Sequence, residues 1–317
     1  VNVGVAGGRR SERLVVDPDS PALERAVAAV RALAATPGRL LVVCDFDGTL
    51  AQISPDPMAP TILPAARHAL RRLARIARRR PDRLALAILS GRTALDVAGR
   101  VRVGGLTYLG DHGIQGGDLP VGVAAERLRV AHDPRLAGHH AVARRLGDEV
   151  ERLLGGAAWL FVEPKGPSVA FHFRAAADIA AARARILAAL DDAGAALPAA
   201  LRGPRFRHTE GRRIVELRPE DAGAKGEAVV RLLERHGSTA ALVIGDDRSD
   251  AEAFAVVARE RDAGRLVASL LLGVHGAGEM PPELLAAANV ILPEPAASAV
   301  VLRALARALE AEDHAGR

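Results

Sequence analysis

Uninterrupted apolar runs of strand length recur in this chain, separated by stretches with the spacing of amphipathic helices. The first, Leu40–Cys44, follows Pro37 and Gly38 and offers no polar residue to either face, which predicts a central strand covered on both sides. A helix is expected to open near Pro64, with Leu70, Leu73, Ile76 and Ala77 on one face, and a second apolar run spans Leu84–Leu89. Strand, helix, strand in that order predicts a parallel sheet. The same grammar returns late in the chain: a helix over Lys225–His236, an apolar run over 240–244, a helix over 250–260 and a run over 266–272. The two ends therefore read as halves of one doubly wound α/β domain.

The middle reads differently. Residues 157–161 and 168–173 look like strands flanking a turn at Glu163, Pro164, Lys165 and Gly166, with 215–217 as another strand. Helical patterns occupy 135–154 and 176–193. The expected organisation is a loose leader and short helix over 1–36, the first part of the core over 37–113, an inserted α+β cap domain over 114–218, and the rest of the core over 219–317. Residues 1–18 lack periodicity, and 21–35 read as a short Ala-rich helix.

Composition narrows the class. The chain is 49% hydrophobic and 26% charged, as expected of a soluble globular protein of one large or two modest domains. Aromatic residues make up only 3%, leaving little to stack nucleobases on. The net charge of +5 comes from arginines scattered through helices, and the densest basic stretch, residues 67–80, reads as a solvated helix face; no nucleic-acid partner is expected. No stretch has the apolar length of a membrane span and the N-terminus is charged, so no membrane partner and a cytoplasmic location are expected. Cys44 is the only cysteine, which excludes an internal disulfide and predicts a buried thiol.

Candidate chemistry gathers where the apolar runs end. Asp45 and Asp47 directly follow the first strand, at the carboxyl edge where open α/β sheets bind ligands. Alternate residues of an extended chain share a face, so the two carboxylates are expected side by side, which favours a bound cation or a held proton. Asp45 can serve as a carboxylate nucleophile toward phosphorus, and Asp47 can protonate the leaving oxygen and then deprotonate water. An isolated Asp-x-Asp is more often an Asx-turn or a helix cap using Asp47, and it is the company of other acids that favours chemistry. Further acids stand at another strand end, Asp246, Asp247 and Asp250. Mg²⁺ prefers oxygen ligands, and the metal set expected is Asp45, Asp47, Asp246 and Asp250, with Asp250 either a direct ligand or a residue that holds one. Ser90, Gly91 and Arg92, after Leu84–Leu89, are expected to bind phosphoryl oxygens through the hydroxyl and backbone N–H groups.

Lysine usage is an independent signal. Of 43 basic residues only Lys165 and Lys225 are lysines, so each is suspect as a compact cation beside a phosphate and a carboxylate. Lys225, opening a helix of the core, is placed to hold Asp45 and the transferring phosphoryl group together.

With these motifs in this order, the chain resembles the haloacid dehalogenase superfamily of phosphatases from Arg39 to Ala306, with Asp45, Asp47, Ser90, Lys225, Asp246 and Asp250 on its four motifs. It is similar more narrowly to the trehalose-6-phosphate phosphatases at 47–57 (DGTLAQISPDP), 89–92 (LSGR), 108–113 (YLGDHG), 162–174 (VEPKGPSVAFHFR), 216–219 (ELRP), Lys225 with Gly226, and 245–254 (GDDRSDAEAF). The resemblance implies a doubly wound parallel-sheet core with a mobile α+β cap inserted after the second motif. It also implies sugar binding by Glu163, Lys165 and Glu216 of the cap, with Asp111, His112 and Gly113 where core meets cap. Asp111, Gln115 and Ser249 depart from the usual Asn, Glu and Thr. No synthase module is expected ahead of the phosphatase.

The function so implied is Mg²⁺-dependent hydrolysis of trehalose 6-phosphate in trehalose biosynthesis, with a small sugar phosphate as the partner and no obligatory protein partner. The competing readings are a relative acting on sucrose phosphate or a glycosyl-phosphoglycerate, and a non-catalytic sugar-phosphate sensor.

Overall fold

Every residue of β1 (Leu40–Cys44) is buried, as its uninterrupted apolar run requires, because helices cover both faces of the sheet it centres. The structure, a computed structural model, describes residues 20–54, 56, 58–211, 213–276 and 280–315; the leader expected over 1–18 lies outside the described residues. The first part of the core runs α1 (Pro21–Ala34), β1, α2 (Pro64–Arg79), β2 (Leu84–Leu89), α3 (Ala94–Val101), β3 (Leu106–Gly110), β4 (Gln115–Leu119) and β5 (Ala131–His132). Then come α4 (His139–Leu153), β6 (Phe161–Pro164), β7 (Val169–His172), α5 (Ile179–Ala195), β8 (Phe206–Gly211) and β9 (Ile214–Pro219). The chain closes with α6 (Lys225–His236), β10 (Ala240–Gly245), α7 (Arg248–Asp262), β11 (Ala268–Val274), α8 (Pro282–Ala287), β12 (Val290–Leu292) and α9 (Pro295–Ala315).

Two sheets result among the described residues. The larger has the order β12-β11-β10-β1-β2-β3-β4-β5, parallel from β12 to β3, so β10 from the far end of the chain lies directly beside β1. Alternation splits β1 between two cores. Leu40, Val42 and Cys44 pack with α1, α2, α3 and α9, while Leu41 and Val43 pack with α6 and α7. Cys44 is fully buried, and that burial pushes its thiol well above the ordinary range. The expected doubly wound α/β architecture is thus present.

The smaller sheet is antiparallel, order β6-β7-β9-β8. Val169, Phe171, Val215 and Leu217 pack on α4 and α5, which directs Ala170 and Glu216 to the opposite face. Glu163, Ala170, Glu216 and Thr209 stand in one cross-strand row.

Several expected boundaries move. The strand expected over 157–161 is β6, beginning at Phe161: residues 157–160 turn instead, with Leu160 N–H donating to Ala157 O at 2.9 Å. Glu163 and Pro164 are therefore strand residues, and the turn narrows to Lys165–Ser168, closed by Lys165 N–H to Ser168 O at 3.0 Å around a left-handed Gly166. The helix expected from 135 begins at His139, after a short 3₁₀ turn and Gly138. The cap expected from 114 meets β4 and β5, which hydrogen-bond into the larger sheet because β4 returns antiparallel along β3. Among the described residues no helix is long and apolar enough to cross a membrane.

Candidate active site

The register of β1 on β10 brings the two acidic loops together. Cys44 pairs with Ile244, and Asp45 N–H extends the ladder to Ile244 O at 2.9 Å, so the chain leaves both strands at one carboxyl edge. Lys225, the first residue of α6 and 1% exposed, lies between them: its Nζ donates to Asp45 Oδ1 and to Asp250 Oδ1, each at 2.8 Å. Asp250 Oδ2 accepts from the backbone N–H of Asp246 at 3.0 Å and of Asp247 at 3.2 Å. Asp247 Oδ1 in turn accepts from Asp250 N–H at 2.9 Å, a reciprocal cap that fixes the start of α7.

One carboxylate oxygen each from Asp45, Asp246 and Asp250 lies within 4.8 Å of the others. Gly48 makes this possible. At φ +78° any other residue is strained, and a Cβ there would sit 2.0 Å from Asp246 Oδ2. Burial pushes Asp45 from 3.8 up to about 6 against the pull of the Lys225 ammonium. Burial, then the neighbouring carboxylates Asp45, Asp247 and Asp250, push Asp246 well above its ordinary value. Burial alone would lower Lys225, but Asp247, Asp250 and Asp45 outweigh it and hold the ammonium well above its ordinary value. Three carboxylates this close, only two of them bonded to the Lys225 ammonium, fit a divalent cation, whose charge would relieve their repulsion.

The carboxylate of Asp47 does not join this group. Arg92 grips it with two N–H groups, Nε to Oδ2 at 2.6 Å and Nη2 to Oδ1 at 2.8 Å, and holds Asp96 with Nη1 at 3.1 Å. Ser90 is 1% exposed at the end of β2, its Oγ accepting from Arg92 N–H at 3.2 Å.

The residues expected to bind the sugar form an adjoining cluster. Lys165, 5% exposed, donates from Nζ to Glu216 Oε1 at 2.5 Å and to Gly91 O at 2.9 Å, with Glu163 Oε2 at 3.9 Å. His112 Nε2 lies 3.3 Å from Glu216 Oε2, and Gly91 leaves room for its ring, since a Cβ there would touch it at 3.0 Å. Glu163 Oε2 meets His172 Nε2 at 2.8 Å. Burial would raise Glu216, but Lys165 and His112 outweigh it and hold it well below the usual carboxylate range. Asp111 and His112 both take left-handed backbone, φ 49° and 56°, ahead of Gly113 at 99°. Asp111 is fully buried, accepts the Ser168 hydroxyl on Oδ2 and donates N–H to Arg92 O at 2.7 Å; burial raises its carboxyl above the ordinary range. Gly113 O accepts from Arg231 Nη2 at 2.9 Å.

The two clusters meet at the loop after β2, whose Arg92 side chain holds Asp47 and whose Gly91 carbonyl holds Lys165. Sequence reasoning missed the Arg92 clamp, the Ser168 bond to Asp111 and the His172 bond to Glu163. Each is a contact across lobes or strands that only the register reveals, although the successive Asp-His-Gly turn was a usable sign of unusual backbone.

A model of the trehalose-phosphatase family matches residues 43–273. The trehalose-phosphate phosphatase of Mycobacterium tuberculosis (strain H37Rv) is 34% identical over 221 residues, which are 68% of this chain and 51% of that protein. The chain thus spans about half the length of the curated relatives it matches. Among solved structures, the C-terminal domain of Candida albicans trehalose-6-phosphate phosphatase superposes with a TM-score of 0.67 at 17% identity, covering 89% of this chain and 96% of that one. A trehalose-6-phosphate phosphatase related protein gives 0.62 at 18%, covering 86% and 99%. At these identities the solved structures show a shared fold.

Proposed function

Since the chain belongs to the trehalose-phosphatase family, we propose that it hydrolyses trehalose 6-phosphate to trehalose and inorganic phosphate through a phosphoryl intermediate on Asp45. The observation that carries this reading is the placement of Lys225 between Asp45 and Asp250, with an Asp246 oxygen within 4.8 Å of one from each of those two carboxylates. An Asp45 carboxylate oxygen attacks phosphorus in line; the bond from phosphorus to sugar O6 breaks, and Asp47 gives that oxygen a proton. Asp47 then takes a proton from water, which attacks the same phosphorus and returns Asp45 as a carboxylate with release of phosphate. Arg92 binds both Asp47 oxygens, so this grip has to loosen for Asp47 to pass a proton to the leaving oxygen. Ser90 and the N–H groups beside it take a phosphoryl oxygen, and Lys225 offsets charge on the transferring group. Asp45, Asp246 and Asp250 would hold Mg²⁺, which when bound neutralises phosphoryl charge.

The smaller sheet acts as the cap. Its row of Glu163 and Glu216, with Lys165 at the turn, offers acceptors and a donor to sugar hydroxyls while excluding bulk water. The partner is a small sugar phosphate, the setting trehalose biosynthesis, and the location cytoplasmic. Phosphate release from a panel of sugar phosphates, with and without EDTA, tests the reading. Trehalose 6-phosphate should be the preferred substrate and EDTA should stop turnover; preference for sucrose phosphate or a glycosyl-phosphoglycerate defeats the choice of sugar.

A further inference from the structure

Gln115, the first residue of β4, is 5% exposed, and its backbone pairs with Gly110 of β3 and His132 of β5. Its side chain makes two bonds to backbone groups on different lobes. Oε1 accepts from Ala94 N–H at 3.2 Å, at the start of α3, and Nε2 donates to Lys165 O at 3.1 Å. Lys165 Nζ returns to Gly91 O at 2.9 Å, so residues 91–94, Gln115 and Lys165 close a ring of contacts. Lys165 is thereby fixed at both ends, its carbonyl by Gln115 and its ammonium by Gly91 and Glu216.

We propose that Gln115 is a positioning residue that sets Lys165 against the loop after β2, and so fixes where the sugar end of a sugar phosphate binds relative to its phosphate. The proposal rests on the sugar-phosphate reading of the site. Both bonds are needed, and the Gln115 amide supplies an acceptor and a donor at once without a change of charge. The Ala94 N–H requires an acceptor and the Lys165 carbonyl a donor. An ionised Glu would turn a second oxygen toward that carbonyl, and Met would leave both buried groups unmatched. The turn that Gln115 holds also carries Ser168, whose hydroxyl bonds Asp111, so losing the amide frees the Lys165 turn on its Gln115 side while the Asp111 contact remains.

The test is steady-state kinetics of the wild type, Gln115→Glu and Gln115→Met on the preferred sugar phosphate and on p-nitrophenyl phosphate, which has no sugar for Lys165 to hold. Both variants should raise KM for the sugar phosphate roughly tenfold, with kcat within about twofold, and should lose far more kcat/KM on the sugar phosphate than on the aryl phosphate. An unchanged sugar-phosphate KM, or equal losses on both substrates, overturns the proposal. Should one variant fail to fold, the other decides, and Lys165→Ala added to it must bring little further rise in KM; fully additive effects also overturn the proposal. A wild type inactive on every sugar phosphate instead defeats the reading on which the proposal rests.

Discussion

Lys225 Nζ lies 2.8 Å from Asp45 Oδ1 although 180 positions separate the two residues in the chain. The pairing follows from β10 docking beside β1, with α6 starting at the carboxyl edge beside the acidic loops and ending at the opposite edge, where it leads into β10. It places one buried ammonium between the proposed nucleophile and the residue that organises the second acidic loop.

Lys225→Met removes that ammonium while keeping length and bulk. Turnover should fall about 10²–10³-fold or more, because charge on the transferring group loses its fixed partner. Phosphate release at saturating substrate measures it, and a loss below tenfold would show that Lys225 is structural.

Gly48→Ala puts a Cβ 2.0 Å from Asp246 Oδ2 and forces an L-residue into left-handed backbone. The expected cost is about 1–3 kcal/mol of stability together with weaker cation dependence, seen as a higher Mg²⁺ concentration for half-maximal activity. An unchanged Mg²⁺ requirement would place the cation elsewhere.

Asp45 carries a pH signature. Its carboxyl is raised from 3.8 to about 6 by burial, so its burial is best tolerated below pH 4 and grows costly as pH rises through 6. In EDTA the wild type should therefore lose stability relative to Asp45→Asn between about pH 4 and 6, and added Mg²⁺ should flatten the difference. Melting temperatures of the two proteins across that range check the sign, and a difference growing in favour of the wild type contradicts it.

Glu216→Gln leaves buried Lys165 without its nearest carboxylate and weakens the hold on His112. Stability should drop by roughly 3 kcal/mol and KM for the sugar phosphate should rise at least tenfold, with a smaller change in kcat. Denaturant unfolding and steady-state kinetics read the two effects separately.

How much of this was legible in the sequence depends on whether the signal was local. β1 and β2 were readable because burial on both faces demands apolar residues throughout, and Lys225 stood out because the chain otherwise uses arginine. β8 went unread since its run of Phe206, Arg207, His208 and Thr209 is largely polar and becomes a strand only by pairing with β9. β6 was misplaced because the apolar residues Trp159 and Leu160 reach the core from a turn, whereas Glu163 belongs to the strand and faces the other lobe. The grip of Arg92 on Asp47 and the bridge made by Gln115 depend on long-range register, which a single sequence does not encode in any local pattern.

The central claim is that phosphoryl transfer passes through Asp45. The most direct measurement is acid quench of the protein during turnover of a phosphate-labelled sugar phosphate, followed by peptide mapping. Label on the peptide containing Asp45, and neither label nor turnover in Asp45→Asn, is the predicted result; turnover retained by Asp45→Asn, or label on another residue, would contradict it.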